Sequence, residues 1–187
     1  MFKNFFGFTF ELIKIVVISL AIIIPIRYFL IQPFYVKGAS MEPNFYDKEY
    51  LIINEITYRF TNPKRGDIVV FRYPRKPQDY FIKRLIGLPG EKVQTKDGKV
   101  YIYNDENVDG FVLDEEYLPD GLKTYGLTEE ITTLKENEYF FLGDNRNSSK
   151  DSRSFGAVDK SFIIGRVLLR GWPFNRIELF ETPEYQY

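Results

Sequence analysis

Three stretches of the sequence carry residue types that can do acyl-transfer chemistry. The first, Lys37-Gly38-Ala39-Ser40-Met41-Glu42-Pro43, presents a hydroxyl directly after two small residues. If the chain is extended from Phe34, then Phe34, Val36, Gly38 and Ser40 share one face, and Gly38 with Ala39 lets another backbone come close. The same residues also read as a plain strand end running into a turn closed by Pro43. The second stretch, residues 79–91 (DYFIKRLIGLPGE), places Lys83 on the strand face of Phe81 and Leu85, with Arg84 on the face of Ile82 and Ile86. A lysine between large apolar side chains is a candidate for desolvation, which lowers an ammonium pKa. A fall of about two units from about 10.4 disfavours the charge by roughly 2.7 kcal/mol and leaves a useful neutral fraction near pH 8. A neutral amine is a base, although the commoner fate of a strand lysine is to snorkel to water. The third stretch, residues 143–156 (GDNRNSSKDSRSFG), is a dense polar loop in which Asp151 and Arg153 can pair across a turn. It is either a solvated turn or a scaffold that fixes the amine of Lys83.

What the chain lacks narrows the chemistry further. Its 187 residues include no cysteine and no histidine. Without cysteine there are no disulfides, thiolate nucleophiles, Cys-bound zinc or iron–sulfur sites, which excludes cysteine proteases and sortase-like transpeptidases. Without histidine there is no Ser-His-Asp triad and no HExxH zinc protease. Acid–base work must then fall to carboxylates, Tyr, Arg or a perturbed Lys. If Ser40 is a nucleophile, Lys83 is the best-placed base. The balance of 25 basic against 26 acidic residues, net charge -1, argues against nucleic acid as a partner. No metal site and no cofactor are expected.

The elements that must hold these residues are an apolar anchor and a body of short strands. Residues 15–26 (IVVISLAIIIPI) carry no charge, and a helix over them would rise only about 18 Å of the roughly 30 Å hydrocarbon core. Snorkelling by Lys14 and Arg27 extends the apolar span to residues 12–31, and Tyr28, Phe29, Phe34 and Tyr35 suit an interfacial belt. A cleavable signal or a buried core helix are the other readings. The small-x-small triplet Ser19-Leu20-Ala21 lies inside the run rather than after it, and only one Ser interrupts the run, so an uncleaved anchor fits better. Lys3 and Lys14 before the span and Arg27 and Lys37 after it leave its orientation undecided. Beyond Pro33, strand-length runs are expected at 34–36, 50–53, 67–71, 81–86, 93–96, 99–103, 139–142 and 162–169, with Asp97-Gly98 as a two-residue hairpin turn. Aromatic residues at 18% favour a β body. The acidic segment 104–136 reads as a small inserted flap or a mobile loop.

Together these segments resemble the type I signal peptidases, membrane-anchored Ser/Lys proteases that release exported proteins from their signal sequences. The resemblance rests on the anchor, on Gly38-Ala39-Ser40-Met41-Glu42-Pro43, on Gly66-Asp67-Ile68-Val69-Val70-Phe71, and on Phe81-Ile82-Lys83-Arg84 through Leu88-Pro89-Gly90-Glu91. It extends to the loop from Gly143-Asp144-Asn145-Arg146 through Asp151-Ser152-Arg153-Ser154-Phe155-Gly156, then to Gly165-Arg166-Val167 and Trp172-Pro173. It implies a mostly β, antiparallel fold with one N-terminal transmembrane helix and a small insertion. On that pattern 1–11 is a short cytoplasmic segment, 12–31 the anchor, 34–103 with 137–180 the catalytic domain and 104–136 the insertion.

The resemblance also implies roles. Ser40 is then the nucleophile and Lys83 the general base, with Ser149 bonding the lysine amine, Asp151 and Arg153 bracing the site, and Asp144, Asn145 and Arg146 beginning the bracing loop. Phe34, Val36 and Ile82 line a pocket for small side chains. Some members carry a serine where this chain has Gly38, so here the oxyanion would rest on the backbone N–H groups of Ser40 and Gly38. The implied activity is removal of signal peptides after small-x-small sites, with exported precursors and the lipid bilayer as partners and the catalytic domain on the outer face. Relatives of the endoplasmic reticulum and of archaea use His in place of Lys, so a chain without His falls in the Ser/Lys branch. Two other readings stay open. One is a self-cleaving Ser/Lys repressor, whose DNA-binding domain has no room between the anchor and Phe34; the other is a non-catalytic tethered β-module binding a protein partner.

Overall fold

The computed structural model describes residues 2–29, 31–127, 129–183 and 185. Helix α1 (Phe2–Phe29) runs for 28 residues and is longer at its start than the 12–31 span expected from the apolar run. Nothing between Phe2 and Glu11 breaks a helix, so the element continues past its charged residues. At its far end Gln32 precedes Pro33, a position pushed out of the helical region, and Ile31 already belongs to strand β1 (Ile31–Tyr35). The stretch Gly7–Ile24 has a mean hydropathy of 2.3, with 0% of it buried against the rest of the protein. The side chains of Arg27, Tyr28 and Phe29, expected at the interface, lie outside the described ones.

Eleven more strands follow: β2 (Tyr50–Asn54), β3 (Ile68–Arg72), β4 (Tyr80–Gly87), β5 (Lys92–Lys96), β6 (Lys99–Tyr103), β7 (Phe111–Val112), β8 (Thr132–Thr133), β9 (Glu138–Leu142), β10 (Val158–Asp159), β11 (Ile163–Trp172) and β12 (Glu178–Leu179). Every neighbouring pair is antiparallel. The large sheet has the order β1-β2-β11-β3-β4-β9-β10, with β12 on β11, and the small one β7-β6-β5-β8. Asp97 and Gly98 both take positive φ, 53° and 77°, which gives the turn of the β5–β6 hairpin its hand. The two strands from the 104–136 segment add to either side of this hairpin, so the small sheet joins the insertion to residues 92–103.

Period-two alternation explains why the large sheet carries a core on both faces. Along β3, Ile68 and Val70 enter a cluster with Val36, Met41, Phe45, Leu51, Ile53 and Val167, while Val69 and Phe71 enter another with Leu85, Tyr139, Phe141 and Val158. The second cluster is where the aromatic excess goes. Phe71 stacks on Phe141 at 4.6 Å, and Tyr73 on Phe81 at 4.6 Å. A third cluster packs Ile86, Phe140 and Leu142 of the large sheet against Val93, Val100 and Ile102 of the small one.

Candidate active site

Ser40 sits on the loop between β1 and β2. The strand ends at Tyr35, and two bonds close the loop at its base: Val36 N–H donates to the Glu49 carbonyl at 2.8 Å and Lys48 N–H to the Val36 carbonyl at 3.0 Å. Gly38 turns the chain at φ +90°, so the shared face expected for Phe34, Val36, Gly38 and Ser40 stops at Val36. Just past the hydroxyl, Met41 (1% exposed) and Phe45 (0%) plunge into the core and pin the loop down. The Gly38 N–H donates to Asp47 Oδ1 at 2.8 Å. That amide, expected to face an oxyanion, is therefore engaged elsewhere.

Lys83 comes to Ser40 from β4, on the opposite side of the cleft. Its Nζ lies 2.7 Å from Ser40 Oγ and 2.7 Å from the Ile82 carbonyl oxygen. Only 3% of the residue is exposed. Burial pushes its ammonium down to about 8, against the opposing pull of the Asp151 and Asp144 carboxylates. Desolvation, read from its place between Phe81 and Leu85, is the dominant cause.

The 143–153 loop grips the nucleophile loop from behind. Asn145 holds the nucleophile loop twice, its N–H donating to the Ser40 carbonyl at 3.1 Å and its Nδ2 to the Ala39 carbonyl at 3.0 Å. The approach is so close that a Cβ on Gly143 would stand 2.4 Å from the Ser40 carbonyl oxygen and 2.1 Å from Ser149 Oγ. Asp151 accepts the Gly143 N–H at 3.0 Å and a two-pronged contact from Arg153 at 2.8 and 2.7 Å. Asp144 is held the same way by Arg84, at 2.8 and 2.7 Å, and also accepts from Asn44 at 2.8 Å. Arg146 points away from the cleft, to Glu115 and Thr124 of the inserted segment. Ser149 departs from expectation: its hydroxyl is buried beside the site, yet it has no hydrogen-bond partner and makes no bond to the lysine amine. It is packed against Gly143.

A cleft of 710 Å³ opens over the pair, walled by Phe34, Val36, Leu51, Val70, Tyr80 and Ile82 among others. Among the described residues no cluster of His, Cys, Asp or Glu could hold a metal ion.

The description "Signal peptidase, peptidase S26" fits residues 9–172 as a family match. Over 189 residues the chain is 34% identical to signal peptidase IB of Staphylococcus aureus, covering 93% of this chain and 95% of that protein. The chain belongs to the type I signal peptidases. A probable signal peptidase I-2 of Synechocystis is 39% identical over 176 residues, 90% of this chain and 76% of its own. A crystal structure of a signal peptidase I from Enterococcus faecalis V583 aligns with 57% of this chain and 97% of its own, at 35% identity and a TM-score of 0.46.

In this signal peptidase, a serine endopeptidase by family, several site residues escape a reading of the sequence alone. Leu51 and Val70 are cross-strand partners of Phe34 and Ile82, so correct strand pairing would have found them. Arg84 was read only as the neighbour of Lys83 on the other strand face, whereas its guanidinium pairs with Asp144 and lies 3.7 Å from the centre of the Tyr117 ring. Asn44 and Asp47 gave no sequence signal beyond being polar loop residues. Glu91 of the Leu88-Pro89-Gly90-Glu91 motif serves the fold, buried against Arg65 at 2.9 and 2.6 Å.

Proposed function

We propose that this signal peptidase cuts signal peptides from exported precursors with a Ser40–Lys83 dyad, after small-x-small sequences. The observation that carries the reading is the 2.7 Å contact between Lys83 Nζ and Ser40 Oγ. Neutral Lys83 takes the hydroxyl proton as Oγ attacks the scissile carbonyl, and returns it to the departing amine when the C–N bond breaks. It then takes a proton from the water whose hydroxide attacks the acyl-enzyme, and gives that proton back to Ser40 as the acid is released. The Ser40 N–H, for which the described residues supply no acceptor, is the group suited to the oxyanion.

Among the described residues, two unpaired strand edges border the cleft. β1 ends the large sheet, and Tyr80 to Lys83 pair with β3 on one side while β9 begins pairing only at Arg84. An extended precursor segment can bond to these edges and drop alternate side chains between Phe34, Val36 and Ile82, which line the cleft. Helix α1 leads almost directly into β1, which suits a cleft beside the bilayer; the single pass with the N-terminus cytoplasmic and the catalytic domain outside is taken from the family. The partners are precursor proteins and the bilayer, with no nucleic acid and no cofactor.

The test incubates detergent-solubilised protein with a synthetic Ala-x-Ala precursor and locates the cut by mass spectrometry. One cut after the second Ala is expected, and Ser40→Ala and Lys83→Ala should each abolish it while leaving circular dichroism unchanged. Near-normal processing by Lys83→Ala would overturn the dyad. With the amine at about 8, about a tenth of the enzyme is in the neutral form at pH 7, so kcat/KM should climb toward a plateau above pH 9. A flat profile from about pH 6 to 9 is incompatible with a titrating lysine base.

A further inference from the structure

We infer that the cleft continues toward the anchor into a polar subsite lined by Gln32, Glu55, Arg59 and Arg72, and that this subsite takes a carboxamide side chain of the precursor, the Gln or Asn that stands fifth before the cut. The inference rests on the proposed function, because it needs an extended precursor lying along β1.

The register of the large sheet carries the cleft past Phe34. Residues directly opposite in antiparallel strands face the same way, and so does every second residue along a strand. Phe34 is opposite Leu51 and Val70 is opposite Ile82, and these four make the apolar row that walls the cleft over Ser40. Two residues nearer α1, the same face carries Gln32 opposite Ile53 and Arg72 opposite Tyr80. At this row a second cavity of 310 Å³ opens, lined by Gln32, Arg72 and Tyr80 together with Glu55 and Arg59. Tyr80 lines both cavities, and its ring meets that of Phe34 edge-on at 5.6 Å, so the two rings form the sill between them.

Across that sill the lining turns polar. Glu55 Oε1 is buried without a hydrogen-bond partner, which is costly unless a ligand supplies a donor. Burial raises the pKa of this carboxyl against the pull of Arg59 and Arg72. Both arginines are exposed, and among the described residues neither guanidinium makes a hydrogen bond or an ion pair. The cavity thus offers unpaired donors and an unpaired acceptor together. A carboxamide answers both, its oxygen accepting from a guanidinium and its NH2 donating to Glu55. A carboxylate would stand against Glu55, an ammonium against two guanidiniums, and a hydrocarbon would leave Oε1 stranded.

Direction and spacing give the position. A precursor whose apolar segment sits in the same bilayer as α1 leaves it along the course of β1, so the residues before the cut lie toward the anchor. The first and third residues before the cut occupy the apolar row. The fifth is the next side chain on that side, one strand repeat of about 6.6 Å nearer α1, which is the step from Phe34 to Gln32.

The test uses full-length protein in detergent and synthetic Ala-x-Ala precursors that differ only at the fifth residue before the cut, carrying Gln, Met, Glu or Lys there. Against Met, which has similar length and no amide, Gln should lower KM about fivefold at unchanged kcat, the net worth of about one hydrogen bond. Glu and Lys should do no better than Met, and Gln moved to the fourth position should give no gain. Glu55→Ala and Arg72→Ala should each bring the Gln-to-Met ratio to within about twofold of one. The ratio compares two precursors on one enzyme, so a general loss of activity cancels from it. Binding of the same peptides to Ser40→Ala, followed by fluorescence anisotropy, should repeat the preference of about fivefold in Kd. A ratio near one in the parent overturns the inference, as does a ratio that survives both substitutions, or a Glu or Lys precursor preferred over Gln. Failure of the proposed function looks different: the parent would not cut, or Ser40→Ala would, with the preference in binding intact.

Discussion

Lys83 is buried beside two carboxylates, yet burial still drives its ammonium down to about 8. The reason lies in what those carboxylates are doing. Asp151 is gripped by Arg153 and Asp144 by Arg84, each through two short bonds. A carboxylate already paired with a guanidinium has less field left to stabilise a third charge, so desolvation outweighs the pull of both carboxylates on the lysine. The arginines thereby tune the base without touching it. Arg153→Ala should unmask Asp151 and favour charged Lys83, which raises the pKa of the amine. The midpoint of the kcat/KM profile should then move to higher pH by about half a unit to one unit. A pH titration of purified variant and parent checks this, and an unmoved or acid-shifted midpoint would exclude it.

At the level of elements, the 143–153 loop is a hub joining parts distant in sequence. On one side it holds the Ser40 loop through Asn145, and on the other it reaches the inserted segment through Arg146. The Arg146 side chain is fully buried, and its guanidinium meets Glu115 at 2.7 and 2.5 Å. The insertion is thus latched to the loop that braces the active site. Glu115→Ala would strand a buried cation, a change that typically costs about 3–5 kcal/mol. Urea unfolding should show that loss, and adding Arg146→Met should recover part of it by removing the stranded charge. Equal stability of Glu115→Ala and parent would mean that the latch contributes nothing.

For the whole molecule, the anchor and the body are built on different principles. The sheets bury three apolar clusters that, among the described residues, include none from α1, whereas the Gly7–Ile24 stretch is 0% buried against the protein and is long and apolar enough to cross a bilayer. A protein lacking residues 1–29 should keep the β body and its near-ultraviolet dichroism while losing partition into liposomes, which flotation on a density gradient measures. Loss of cooperative unfolding in the truncated protein would show that the helix is part of the fold.

Much of this was legible in the residues themselves. All eight expected strand runs overlap observed strands, to within a residue or so at most ends, because alternation and turn chemistry are local, and Asp97-Gly98 makes its hairpin for the same reason. The strands with no signal are β7, β8, β10 and β12, each two residues long and made only because a longer neighbour offers an edge. The lack of histidine left a serine and a lysine as the best-placed pair, and the apolar flanks of Lys83 foretold its lowered pKa. Three-dimensional packing decided the rest. Arg84 was chosen for Asp144 and Arg146 for Glu115 by chain segments that meet only after folding. The hydroxyl of Ser149, expected on the lysine, makes no hydrogen bond to a described residue, and the amide of Gly38, expected on an oxyanion, went to Asp47. Residue type and spacing determine which groups can do chemistry; the direction in which a hydroxyl or an N–H points depends on partners many residues away, and only the folded chain brings those partners within reach.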